Sequence, residues 1–185
     1  MTMLASLLLT ETRPPIRAIL EKSLSGGETS WQEGVVLSGA RGRELHALTA
    51  VADALRQQQV GDRVSYVVNR NINFTNVCVK TCRFCAFARG IRSEQGYMLP
   101  HDEVIARVLQ AREMGATEVC LQAGLAPDLT GDSYVQLTEA VRRAAPDMHI
   151  HAFSPEEVLF GSQLAKEPVP VFLARLKDAG LGSLP

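Results

Sequence analysis

The sequence predicts an α/β fold, with a helical segment leading into a parallel sheet built from β-α units. Two patterns carry this reading. Apolar residues recur at spacings of three and four before Gly61, and from Val64 onward short apolar runs alternate with helical ones. Composition agrees: 185 residues with 46% hydrophobic and 21% charged side chains can bury one sizeable core.

In chain order, Pro14-Pro15 starts a helix through Ile16, Ile19 and Leu20, and Ser25-Gly26-Gly27 stops it. A short helix is expected near Ser30. Residues 43–58 set Leu45, Leu48, Val51, Ala52 and Leu55 on one helical face, and Gly61-Asp62 ends this segment, taken as residues 1–62. The core, residues 63–185, opens with a strand from Val64 to about Phe74. After a cysteine-rich loop comes a helix from Asp102 to Met114, with Val104, Ile105, Val108 and Leu109 as its buried stripe and Gly115 as its cap. Thr117 to Ala123 reads as a strand covered on both faces, Ser133 to Ala144 as a crossover helix, and His149 to Phe153 as the third strand. Helices from Ser154-Pro155 and over Val169 to Ala179 follow, and Leu181 to Pro185 begins a fourth strand. A parallel sheet ending on an apolar strand exposes an unpaired edge, so the expectation is the N-terminal part of a longer barrel, with the first four strands only.

The net charge of −1, with both signs interspersed, offers no footprint for nucleic acid or an anionic membrane, so small-molecule partners are expected. Leu4 to Leu9 is too short to span a bilayer and follows no basic run, which makes a cytoplasmic location the expectation. Three of the four cysteines fall within residues 78–85, unlike a secreted disulfide framework and suited to reduced, metal-binding thiols.

Cys78-Val-Lys-Thr-Cys82-Arg-Phe-Cys85 puts three thiolates on one tight loop. A structural zinc site wants four protein ligands, whereas an iron-sulfur cluster with one iron free of protein needs three. A zinc knuckle borrowing Cys120 or a histidine is the competing reading. The CxxxCxxC spacing, with an aromatic residue before the last cysteine, resembles the motif of the radical S-adenosylmethionine (SAM) superfamily. That resemblance implies the N-terminal part of a (β/α) TIM-type barrel in which Cys78, Cys82 and Cys85 ligate a 4Fe-4S cluster whose open iron takes the amino and carboxylate groups of SAM. It also implies reductive cleavage of SAM to methionine and a 5'-deoxyadenosyl radical, with Phe84 near the adenine.

The segments Arg70–Cys78, Cys85–Arg89, Gln122–Leu125 and His149–Glu157 are together similar to the branch holding the deazaflavin and menaquinone (futalosine pathway) enzymes. They most resemble the family of tyrosine-using FO synthase subunits, over most of residues 43–185. The resemblance implies a transferase that fragments L-tyrosine and joins its 4-hydroxybenzyl group to 5-amino-6-(D-ribitylamino)uracil in FO (deazaflavin coenzyme) biosynthesis. A second FO synthase radical SAM subunit and an electron donor such as a ferredoxin or flavodoxin are the implied partners. A futalosine-pathway enzyme, or an inactive or split-gene fragment needing a complementary half, are the alternatives.

Further candidates lie outside the cysteine loop. Asn69, Asn71 and Asn73 share one face of the first strand; they either position substrate and brace the loop, with Asn71 the catalytic candidate, or satisfy loop backbone at the strand end. His149 and His151 share a face of the third strand, and His151 is the better site candidate because it lies nearer the strand's C-terminal end. Gln122 and Gly124 fall where the superfamily has a Gly-Gly-Glu-like stretch that binds the SAM amino group, which implies cofactor contacts, although Leu125 stands in place of the glutamate. Ser154 reads as an N-cap that also allows a cofactor contact. Cys120 reads as a buried structural thiol, and Arg89 and Arg92 either meet a carboxylate or stay solvated.

Overall fold

The computed structural model describes residues 8–80 and 82–185, so Leu4–Leu7 of the N-terminal apolar stretch and Thr81 of the cysteine loop lie outside the described residues. Contacts divide the chain between Ser65 and Tyr66 into two compact units. No helix among the described residues is long and apolar enough to cross a membrane.

The first unit holds α1 (Pro14–Leu24), α2 (Trp31–Ser38) and α3 (Arg43–Val60). Pro14 starts α1, whose buried face is the expected Ile16, Ile19 and Leu20. Ser30 caps α2 in a reciprocal box with Glu33. The buried face of α3 is centred on Ala47, Val51 and Ala54, with Leu48 and Leu55 at its margins and Leu45 exposed. The expected stripe is thus rotated: Ala47 and Val51 are buried with Ile16 and Leu20 in this unit's core, and Leu48 and Leu55 pack against it only partly buried.

The second unit runs β1 (Asn69–Asn73), α4 (His101–Glu113), β2 (Glu118–Gln122), α5 (Gly131–Ala144), β3 (His149–Ala152), α6 (Pro155–Ala165) and α7 (Val169–Asp178). The three strands are parallel in the order β1-β2-β3, with β2 and β3 each reached by a helical crossover. β1 is shorter than expected. Val64 and Tyr66 are exposed, and pairing begins only where Val68 accepts the Thr117 N–H at 2.8 Å, because β2 offers no residues opposite the earlier ones. The fourth strand is reduced to one bridge: Ser183 pairs with His151, and its carbonyl accepts the Ala152 N–H at 2.9 Å.

Period-two alternation splits the sheet into two chemically different faces. Ile72, Val119, Leu121, Ile150 and Ala152 point to one side and are buried with Val104, Val108, Leu137, Val141, Phe172 and Leu176 of the helices. On α4 the buried positions are Val104, Val108 and Ala111, while Leu109, expected inside, is 38% exposed because it lies a further 100° round from Val108. The opposite face carries only polar or thiol side chains in the strands, and this face holds the candidate site.

An aromatic cluster closes the core where the strands end. Tyr134 meets Phe153 edge-to-face at 5.0 Å, and Phe74 and Phe172 at 6.4 Å each. Phe153 has φ of 62°, a left-handed backbone that costs a bulky residue about 1–2 kcal/mol. Complete burial against Tyr134 and Phe74 offsets that cost, and the turn delivers Ser154 to the sheet's C-terminal edge. Among the described residues the buried Tyr134 hydroxyl has no hydrogen-bond partner. Replacing Tyr134 by Phe should therefore leave the melting temperature unchanged or raise it, whereas Tyr134→Ala should cost about 3–5 kcal/mol; a Phe variant losing more than about 1 kcal/mol in denaturant melts would contradict the unpaired hydroxyl.

Candidate functional site at the C-terminal edge of the sheet

The chain leaves β1 through Phe74-Thr75-Asn76-Val77 and enters the cysteine loop, which is held at its base by backbone bonds. Gly124 N–H donates to the Thr75 carbonyl at 2.9 Å, Val79 N–H to Leu125 at 2.9 Å, and Cys78 N–H to Arg89 at 2.9 Å. The buried Thr75 hydroxyl donates to the Tyr97 carbonyl at 2.6 Å, and the Asn76 amide bonds both the Tyr97 N–H (2.8 Å) and the Gln95 carbonyl (3.0 Å). Backbone pairing anchors the Tyr97–Leu99 stretch as well: Leu99 N–H donates to Phe74, while Met98 is exposed. Arg89 donates to the carbonyls of Ala86, Phe87 and Ala88 and to Gln95 Oε1, acting as an internal staple of the loop.

All four cysteines are free thiols. Cys78 is half-buried at the loop base, and Cys82 and Cys85 are exposed. Cys120 lies in mid-strand on β2, where burial first, and then the charges of Glu118 and Glu157, push its thiol up; it is not on the loop. Three thiols on one backbone-tethered loop, with the fourth cysteine in the sheet, fit a metal group that needs three sulfur ligands and keeps one position open. Lys80 pairs with Glu156 at 3.0 Å, which holds its ammonium above the usual range, helped by the neighbouring Cys82 and Cys78.

Beside this loop an open pocket of about 410 Å³ is lined by Asn71, Asn73, Phe87, Gln122, Ala123, Ser154 and Glu157. Four of the sequence candidates, Asn71, Asn73, Gln122 and Ser154, therefore meet there. Parallel register makes Asn71, Cys120 and His151 one row across the sheet, and Asn73 and Gln122 the next. His151 is not among the residues lining the pocket; its Nδ1 lies 2.7 Å from Ser183 Oγ. Phe84 is fully exposed on the loop. Gly124 is explained by the chain itself: an added Cβ would come within 2.2 Å of the Val77 carbonyl oxygen, so the missing side chain lets the β2 turn dock under the cysteine loop.

Glu157 is the site residue that sequence reasoning missed. It is 3% exposed and its carboxylate accepts three hydrogen bonds: Ala123 N–H at 2.9 Å on Oε1, and Ser154 N–H at 2.9 Å and Ser154 Oγ–H at 2.7 Å on Oε2. Ser154 caps α6 as expected, and the Ser-x-x-Glu capping box was the available signal. The box could not reveal that the same carboxylate bridges from β3 to the end of β2. Burial pushes the Glu157 carboxyl above its ordinary 4.5, against the lowering effect of its three donors. The folded state then holds a proton that the unfolded chain has released, so this contribution is complete below the ordinary value and is lost as pH rises through the raised one. Thermal melts between about pH 4 and 8 should show wild type losing more stability with rising pH than Glu157→Gln. The Gln variant should be less stable throughout by about 1–3 kcal/mol, because its amide N–H faces the Ser154 donors.

Comparison with known proteins is consistent with this arrangement. The chain is 48% identical over 151 residues to FO synthase of Nocardia farcinica (strain IFM 10152), covering 82% of this chain and 18% of that protein. It is 42% identical over 169 residues to the 5-amino-6-(D-ribitylamino)uracil--L-tyrosine 4-hydroxyphenyl transferase of Methanothermobacter thermautotrophicus, covering 91% of this chain and 46% of that one. The transferase of the same name from Nostoc punctiforme is 41% identical over 180 residues, with 94% and 47% covered. The chain thus spans less than half the length of these relatives. Among solved structures, the hydrogenase maturase HydG from Carboxydothermus hydrogenoformans superposes with a TM-score of 0.63 at 16% identity, over 98% of this chain and 49% of that one. Methylornithine synthase (PylB) gives 0.55 at 18% identity, over 88% and 56%. Both share the fold of parallel strands with helices between them. The family model for the radical SAM superfamily matches residues 72–184, more than half of the chain and the site described above apart from Asn71, so the chain belongs to the radical SAM superfamily.

Proposed function

We propose that this chain carries the SAM-cleaving half-site of a transferase that fragments L-tyrosine and couples its 4-hydroxybenzyl group to 5-amino-6-(D-ribitylamino)uracil in FO biosynthesis. The observation that carries the reading is the three-thiol loop tethered beside a polar pocket, in a chain 41–42% identical over nearly its whole length to transferases of that name.

In this reading Cys78, Cys82 and Cys85 hold a 4Fe-4S cluster and leave one iron open to SAM. When bound, that cluster supplies the electron that cleaves SAM to methionine and a 5'-deoxyadenosyl radical. The protein's part is orientation. Gln122 and Ser154, which both line the pocket, contact SAM, and Glu157 supports them by fixing the Ala123 and Ser154 backbone. Gly124 contributes its backbone at the same strand end, and Phe84 supplies an aromatic face for adenine. Asn71 and His151, the two ends of one row across the polar face, orient substrate. Residues 1–62 are a helical segment in front of the core of residues 63–185. A second FO synthase radical SAM subunit consumes the product, a ferredoxin or flavodoxin supplies electrons, and the cytoplasm is the compartment.

The test is anaerobic reconstitution of the chain with iron and sulfide, followed by incubation with SAM, a reductant, tyrosine and the ribitylaminouracil. Expected are 5'-deoxyadenosine and the coupled adduct by mass spectrometry. Cys78→Ala, Cys82→Ala or Cys85→Ala should each abolish both and lower the iron content, while Cys120→Ala should retain both. Deoxyadenosine release with no adduct would overturn the substrate assignment; iron binding that survives loss of any one of the three thiols would overturn the ligand assignment.

A further inference from the structure

Asn69, Glu118, His149 and Ser183, which the reading above leaves unused, form a continuous line that ends on His151. Glu118 and His149 are register partners on β2 and β3, and Glu118 Oε2 lies 3.8 Å from His149 Nε2. The same His149 nitrogen lies 2.8 Å from Ser183 Oγ, which in turn lies 2.7 Å from His151 Nδ1. Asn69 Nδ2 donates to the other Glu118 oxygen at 3.1 Å. Ser183 is itself fixed: its carbonyl accepts the Ala152 N–H at 2.9 Å and its own N–H donates to Ile150 at 3.2 Å. Next to it, a Cβ on Gly182 would come within 2.4 Å of His149 Cε1, so the absence of a side chain makes room for the ring.

A hydroxyl has one proton and two lone pairs, so Ser183 can donate to only one imidazole; among the described residues the two rings are its Oγ partners, and using that proton between them makes Ser183 donate to one ring and accept from the other. Glu118 sets the direction. Its carboxylate favours a hydrogen on the nearby His149 Nε2, and that N–H then donates to Ser183 Oγ. The Ser183 proton is left to point at His151 Nδ1, which must be bare, and in a neutral ring the remaining hydrogen then sits on Nε2. We propose that Glu118, His149 and Ser183 are positioning residues that lock His151 in the Nε2–H tautomer. His151 thereby presents a fixed hydrogen-bond donor to a carboxylate or carbonyl oxygen of the substrate, in the row it shares with Asn71. The substrate role rests on the placement of His151 in the function proposed above; the tautomer does not.

The test is nitrogen NMR of the chain labelled with ¹⁵N-histidine, together with Ser183→Ala and Ser183→Thr. Expected is a protonated Nε2 and bare Nδ1 for His151 in wild type, a mixture of tautomers in the Ala variant, and the wild-type pattern in the Thr variant. A protonated Nδ1 in wild type, or an unchanged tautomer in Ser183→Ala, would overturn the lock. Because Glu118, His149 and His151 also bring ligand atoms within 4.8 Å of one another, zinc is added separately. Stoichiometric zinc that shifts both rings and is lost in His149→Gln would overturn the lock in favour of a metal site. In the coupling assay, Ser183→Ala should raise KM for one oxygen-bearing substrate by about tenfold with deoxyadenosine release unchanged, and Ser183→Thr should restore it. An unchanged KM for both substrates overturns the donor role. Absence of any coupling in wild type counts against the proposed function and leaves the NMR result to decide the lock.

Discussion

The close docking of the β2 turn against the segment that follows β1 governs the rest of the site. Gly124 has no side chain, Val77 occupies the space one would need, and two N–H donors, Gly124 to Thr75 and Val79 to Leu125, cross the gap. The cysteine loop leaves Val79, Phe84 and Phe87 exposed, so it gains its order from elsewhere than apolar burial. Here the order comes from backbone pairing at its base, from the Asn76 and Thr75 side chains, and from Arg89 gathering three successive carbonyls. The thiols are thereby carried at the C-terminal edge of the strands, the edge where parallel α/β folds assemble their chemistry.

Parallel register does the second part of the organisation. With β1, β2 and β3 aligned as they are, each polar residue of one strand meets a polar residue of the next: Asn69 with Glu118 and His149, Asn71 with Cys120 and His151, Asn73 with Gln122. A slip of one residue would turn these groups into the helix-covered core and expose Ile72, Leu121 and Ile150. The apolar face therefore enforces the polar one. Burial of the helix side selects the register, and the register arrays amides, imidazoles and a carboxylate on the side facing the pocket.

Much of this was legible in the sequence. The cysteine spacing, the alternation of Asn69, Asn71 and Asn73, the pairing of His149 with His151 on one face and the Ser154 cap all follow from local periodicities of two or about four residues. Helix and strand order followed from the same signals. The extent of β1 did not, because Val64 and Tyr66 have the composition of a strand but no partner opposite them. Nor did the rotation of α3 and the exposure of Leu109, since several faces of those helices are apolar enough and only the shape of the neighbouring element selects one.

By itself the sequence determined the family, the three thiols and the two-faced strands, because each is written in residues close together along the chain. Tertiary structure alone decided the partners of those groups. Glu157 reaches back to Ala123, Gly124 meets Val77 rather than an open surface, and Ser183 comes to lie between His149 and His151. These pairs are separated by roughly thirty to fifty residues, so no local pattern encodes them. They come together only when the crossover helices have packed and fixed which strand lies beside which.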